Sequence, residues 1–182
     1  MATQTREERI DELLDRQEIT DCLRRIARGM DRHDAELANT GFHPGARDDH
    51  ALFIGLADEM LQWAEAFHDA SFATHQHFLS PTMIEIVGDE AHCETYVIVV
   101  GAAKEDGKLI MGGGRYVDRL ERRDGRWGVV DRVTTVEWWS DPQVLADVKA
   151  LVHPFSQDRD DLSYTRPVFA SRPDRSVLPG QN

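Results

Sequence analysis

The sequence predicts an α+β domain in which helices come first and a meander of antiparallel strands follows. Three observations carry this prediction. Apolar residues recur at threes and fours as far as about residue 68. From there to about residue 139 they alternate at twos. Polar, glycine-bearing turns punctuate the second half at Val87-Gly88-Asp89-Glu90, Lys104 to Lys108 and Arg123-Asp124-Gly125.

The first helix is expected from Arg6 to Met30, with Ile10, Leu13, Leu14, Ile19, Cys22, Leu23, Ile26, Ala27 and Met30 on its core face. A loop-rich stretch is expected from Asp31 to Asp49, because Gly41, Pro44 and Gly45 interrupt it. A second helix is expected from Gly55 to His68, with Leu56, Met60, Trp63, Ala64 and Phe67 on one side. Strands follow at Ala73 to Ile86, broken near Pro81, then Ala91 to Gly101, Leu109 to Arg122 and Trp127 to Trp139. A short helix follows Pro142 as far as about Val152. The remainder has mixed charge, prolines and little periodicity. The division expected is a barrel domain over 1–152 and an extension over 153–182 that covers the pocket or crosses to another subunit. Gly112-Gly113-Gly114 lacks the helix and the Lys-Ser/Thr of a phosphate loop, so a bend or bulge is expected there.

The chain has 182 residues, long enough for one domain with a real core. Its net charge of −12 argues against nucleic-acid and anionic-lipid partners, which need basic surface. No apolar run approaches the roughly 20 residues of a membrane span. The polar start, Met1 to Arg9, has no apolar signal core, and the two cysteines form no framework, so a cytoplasmic location is expected.

Few residues can carry chemistry. Asp31 stands near the end of the first helix, where its charge faces the negative pole of the helix dipole, a cost of about 0.3–1 kcal/mol. A residue set against local physics marks a candidate site, although Asp also favours a plain turn there. His75 and His77 are two apart on a strand and share a face with Ala73 and Leu79. Imidazoles on an apolar face need partners, and histidine suits proton transfer near neutral pH. A His-x-His pair also suggests zinc, with His50, Asp48 and Asp49 or His92 and Glu94 as further ligands. That spacing is not diagnostic, and no metal or cofactor is expected. Arg132 on the last strand either pairs with a carboxylate or binds an anion.

The segments Asp15-Arg-Gln-Glu-Ile-Thr-Asp21, Ala27-Arg-Gly-Met-Asp-Arg32, Gly113-Gly-Arg-Tyr116 and Glu121-Arg-Arg-Asp-Gly-Arg-Trp127, with Arg132, occur in an order that resembles the SnoaL-like branch of the nuclear transport factor 2-like superfamily. The resemblance implies a cone-shaped curved antiparallel sheet wrapped on N-terminal helices around a deep apolar pocket. Catalytic members of that branch include dehydratases, a dehydrochlorinase and cyclases, and several use an Asp–His pair without cofactor. The resemblance places the Asp on Asp31, the His on His77 and the strand Arg on Arg132. Where some relatives carry a Tyr or Lys five residues before that Asp, this chain has Ile26, so His75 is expected to supply the missing group. Tyr116, Tyr96, Trp138, Ile26 and His50 are expected to line the pocket.

Together these readings predict a cofactor-independent lyase, a dehydratase or related elimination enzyme. Asp31, His77, His75 and Arg132 would act on a hydrophobic aromatic or polycyclic small molecule. An isomerase or cyclase sharing the same proton abstraction, and a non-catalytic binding or interaction module, stay open. A homodimer or homotrimer is expected from the resemblance.

Overall fold

The computed structural model describes residues 4–177, so residues 1–3 and 178–182 of the expected domain and extension lie outside it. Helix α1 spans Arg6–Arg32 and opens with a reciprocal cap. The Thr5 hydroxyl accepts from the Glu8 N–H at 3.2 Å, and the Glu8 carboxylate accepts from the Thr5 N–H at 2.7 Å. Its apolar face is buried from Ile19 to Met30. Ile10, Leu13 and Leu14 are exposed, contrary to the periodic expectation, so the first turns have no core to face.

The stretch expected as a loop, Asp31 to Asp49, contains helix α2 (Ala35–Asn39) and strand β1 (Phe42–Asp49), and strand β2 (Phe53–Leu56) takes the first residues of the helix expected from Gly55. Strand β1 has low strand propensity, with Pro44 and Gly45 inside it. Pairing alone defines it as a strand. Helix α3 (Ala57–Ser71) follows, then β3 (Phe72–Leu79) and β4 (Met83–Val87), separated at Pro81 as expected. The long strands are β5 (Glu90–Ala103), β6 (Leu109–Arg123) and β7 (Arg126–Trp139). Helix α4 covers Pro142–Lys149, and a two-residue strand, β8, covers Arg175–Ser176.

The eight strands form one curved sheet in the order β3-β5-β6-β7-β1-β2-β8, with β4 on the far end of β5. All pairings are antiparallel except β1 with β7, which run parallel and place Asp48 beside Arg132. The core lies between α1, α3 and the concave face of the sheet, around Ile19, Ile26, Met60, Leu120, Trp127 and Val129.

Register shifts set which side chains face inward, and two of them border the cavity. In β3 the register shifts between Phe72 and Thr74, so Phe72 turns inward and Ala73 is exposed. Across β6 and β7, Gly114 pairs with Val136 while Gly113 pairs with Trp138, leaving Glu137 as the extra residue. This is the bulge expected at the glycine run. A Cβ on Gly114 would lie 1.9 Å from the Thr135 carbonyl oxygen, so only glycine fits.

The tail packs on the convex face. Val168 and Ala170 cover Val117 and Val133, and Asp161 takes a bidentate bond from Arg115 at 2.7 and 2.9 Å. Arg172 pairs with Asp49, and β8 extends the sheet beyond β2.

Candidate active site

The C-terminal end of α1 brings Asp31 to the middle of β3. The Asp31 Oδ1 lies 2.6 Å from His77 Nδ1. The His77 backbone N–H donates to both Asp31 oxygens, at 3.0 and 3.1 Å. These contacts answer the helix-dipole penalty noted for Asp31. In the neutral ring they also fix the tautomer: Nδ1–H donates to the carboxylate, and the lone pair lies on Nε2. The His77 side chain is only 2% exposed.

His77 lines a cavity of about 150 Å³ between α3, α4 and the concave sheet. The walls are mainly apolar: Trp63, Phe67, Phe72, Val99, Val136 and Trp139, with Val144 and Val148 of α4. Four polar side chains reach it besides His77, namely His50, His68, Tyr116 and Thr134. None of the described residues beyond 152 lines it. A larger, more open groove at Phe42, His43, Ala46 and Arg126 contains no comparable carboxylate–imidazole pair.

His50 is placed as expected, with Nδ1 3.2 Å from Asp48 Oδ1 and 3.4 Å from Thr134 Oγ1. Tyr116 is also in place, its ring 5.7 Å from that of His50. Desolvation raises the Tyr116 hydroxyl above its ordinary value, so it stays protonated and able to donate.

Five other expectations are corrected. His75 faces inward but lies behind the cavity wall, its Nε2 3.3 Å from the Met30 carbonyl oxygen and its ring 4.0 Å from that of His68. It therefore does not replace the donor that Ile26 lacks. Arg132 is 1% exposed and committed to Asp118 through Nε (2.7 Å) and Nη2 (3.0 Å), with its guanidinium 4.2 Å from the Tyr116 ring centroid. It supports Tyr116 from below and does not line the cavity. Ile26 is wholly buried in the core, against Gly41. Tyr96 points out from the convex face of β5, because Val97 and Val99 take the inward positions. Trp138 is likewise exposed, because the Glu137 bulge reverses the alternation and sends Trp139 into the cavity.

Sequence reasoning missed His68. Its signal was present: His68 continues the buried stripe Met60–Ala64–His68 at helical spacing. Burial lowers its pKa to about 2, and the neighbouring His75 and His77 push it the same way, so it is neutral at physiological pH. Burial also lowers His75. Two sets of potential metal ligands occur among the described residues, His33/His68/His75 and Asp31/His75/His77, each with its ligand atoms within 4.8 Å of one another.

Comparison with known proteins places the fold that carries this geometry. The SnoaL-like domain model matches residues 11–133. A hexachlorocyclohexane dehydrochlorinase, LinA-type3 from Novosphingobium barchaimii, superposes with a TM-score of 0.66 at 18% identity, over 72% of this chain and 92% of that one. A protein named as a candidate scytalone dehydratase, from Novosphingobium aromaticivorans, gives 0.64 at 17% identity over 71% and 89%. A nuclear transport factor 2-like superfamily protein from Salmonella enterica gives 0.61 at 17% over 70% and 94%. At these identities the likeness establishes the fold. No curated protein matches the sequence.

Proposed function

The chain belongs to the SnoaL-like domain family, and on that premise we propose that it is a cofactor-independent lyase working through an Asp31–His77 dyad. The observation that carries this reading is the 2.6 Å contact between Asp31 Oδ1 and His77 Nδ1 at the wall of an apolar cavity. The dehydrochlorinase and dehydratase names among its structural neighbours favour elimination over other fates of the same carbanion.

In the reading proposed, His77 Nε2 removes a proton from a substrate carbon. Asp31 holds the tautomer and stabilises the imidazolium that results, as the carboxylate of a catalytic triad does. The apolar walls exclude water and strengthen that pairing. Tyr116, kept protonated, donates to the departing group, while His50, its Nδ1–H held by Asp48, presents a second imidazole acceptor in the same cavity. Proton transfer of this kind is worth about 10²–10⁴ in rate. An apolar cavity of about 150 Å³ holds a molecule of benzene size, which points to a one-ring aromatic or alicyclic substrate rather than a polycyclic one. We propose a cytoplasmic location for this activity; no described helix is long and apolar enough to cross a membrane.

The convex face supports a homo-oligomer. Phe78, Tyr96, Ile98, Met111 and Trp138 are all exposed there on adjacent strands β3, β5, β6 and β7. Isolated apolar residues are common on surfaces, whereas a contiguous group of this kind suits contact with a second copy of the chain.

The test is a screen of one-ring lignin-derived and alicyclic compounds, with steroids and polyketides as the larger comparison set, and product identification. The predicted product of a small-ring hit carries a new double bond and a released leaving group. Rearranged or cyclised products would instead identify an isomerase or cyclase. His77→Ala and Asp31→Asn should each abolish turnover while the chain stays folded, and full activity in either one refutes the dyad. Binding without turnover of any hit identifies a binding module.

A further inference from the structure

Beside the dyad lies a histidine cluster that the proposed chemistry does not use. His33, His68 and His75 come from the C-terminal cap of α1, the last turns of α3 and the start of β3. One ligand nitrogen from each lies within 4.8 Å of the others. His68 Nδ1 is buried and has no hydrogen-bond partner, on a residue only 9% exposed. Buried polar atoms are nearly always partnered, and an orphaned one has a use or a cost. The contact of His75 Nε2 with the Met30 carbonyl assigns the proton to Nε2, leaving the Nδ1 lone pair free. A histidine whose second nitrogen donates to a backbone carbonyl is the usual arrangement of a metal ligand. His33 holds the left-handed conformation at φ 52°, where helix ends ordinarily place Gly or Asn. That backbone turns its ring to within 5.6 Å of His75.

The competing set, Asp31/His75/His77, is already spent, because Asp31 and His77 satisfy each other. We propose that His33, His68 and His75 form a three-histidine site for a divalent transition-metal ion of the zinc, cobalt or nickel class. Imidazole ligands select such ions over magnesium or calcium. Three protein ligands leave a fourth position open. In a tetrahedral site the nitrogens stand about 3.4 Å apart, so the cluster, within 4.8 Å, contracts by at most about 1.4 Å on binding. The exposed His33 can make that movement without disturbing the core.

The site is tested on the full chain, freed of metal with a chelator, without any reference to turnover. Titration with cobalt(II) should give visible absorption bands saturating at one ion per chain, and calorimetry should show zinc binding competitively. His33→Ala, an exposed substitution that leaves the core intact, should weaken zinc by more than the roughly 10–100-fold that follows loss of an outer-shell partner alone. His68→Gln should do the same. His77→Ala and the distant His43→Ala should retain binding. Absence of cobalt bands in the parent chain overturns the proposal. So does unchanged binding in His33→Ala, or loss in His77→Ala with retention in His33→Ala.

Discussion

Removing Asp118 isolates what Arg132 does. Both side chains are essentially without solvent contact, at 1% for Arg132 and 0% for Asp118. The pair is bidentate, at 2.7 and 3.0 Å. Asp48 faces Arg132 as a second charge, but Arg132 Nη1 and Asp48 Oδ2 have no hydrogen-bond partner, so Asp118 is the carboxylate bonded to the guanidinium. Asp118→Asn therefore leaves a buried guanidinium without its hydrogen-bonded carboxylate, at a cost of up to about 3–5 kcal/mol. For a domain of this size each kcal/mol lowers Tm by about 2–4 °C, so the fall should be about 6–20 °C. The double variant Asp118→Leu/Arg132→Met removes both charges and should recover most of that loss, since a hydrophobic replacement of a buried pair is often neutral. The assay is thermal unfolding followed by circular dichroism, with urea titration for the coupling energy. A fall under about 2 °C for Asp118→Asn would falsify the claim that this pair is desolvated. A double variant no more stable than Asp118→Asn would show that the cost lies in shape rather than charge.

Other outcomes follow from the same contacts. Burial lowers the pKa of His92 to about 4, so the unfolded chain takes up this proton first as pH falls below about 6.5. Stability from His92 is thus complete above pH 6.5 and is lost progressively down to about pH 4, by about 2 kcal/mol at pH 5. His92→Gln should flatten the dependence of Tm on pH between 6.5 and 5, and an unchanged slope would refute the assignment. Asp161→Ala strips Arg115 of its bidentate partner and should free the tail, read as new protease cleavage between Val152 and Ala170; an equally resistant tail contradicts this. Gly114→Ala forces a Cβ against the Thr135 carbonyl and should destabilise by about 1–3 kcal/mol, whereas a neutral effect in urea titration would remove the bulge from the account. Ile98→Asp on the convex face should convert the proposed oligomer to a monomer in sedimentation, and an unchanged mass would rule out that face.

Much of the fold was legible because its signals are local. The 3.6-residue period of α1, the break at Pro81 and the positive-φ turns at Gly88 and Gly125 act within a few residues of chain. The pairing of Asp31 with His77 was legible too, the first because it opposes a helix dipole and the second through strand alternation and family resemblance. Inward and outward assignments failed where both faces of a strand are apolar. Val97 and Val99 face in while Ile98 and Val100 face out, so composition could not say on which side Tyr96 lies.

By itself the sequence determined the order of elements, the period of each and the chemical types available to the site. Tertiary structure decided which of those groups meet. A single extra residue at Glu137 exchanged Trp138 for Trp139 in the cavity, because strand facing has period 2 and one bulge inverts it. Parallel pairing with β7 made a strand of Phe42–Asp49, whose own residues argue for a loop. The buried carboxylate of Asp118 turned Arg132 from a candidate for substrate contact into a support beneath Tyr116. These outcomes depend on partners 14 or more residues away in the chain, and a desolvated charge takes the partner that the fold brings within hydrogen-bond reach.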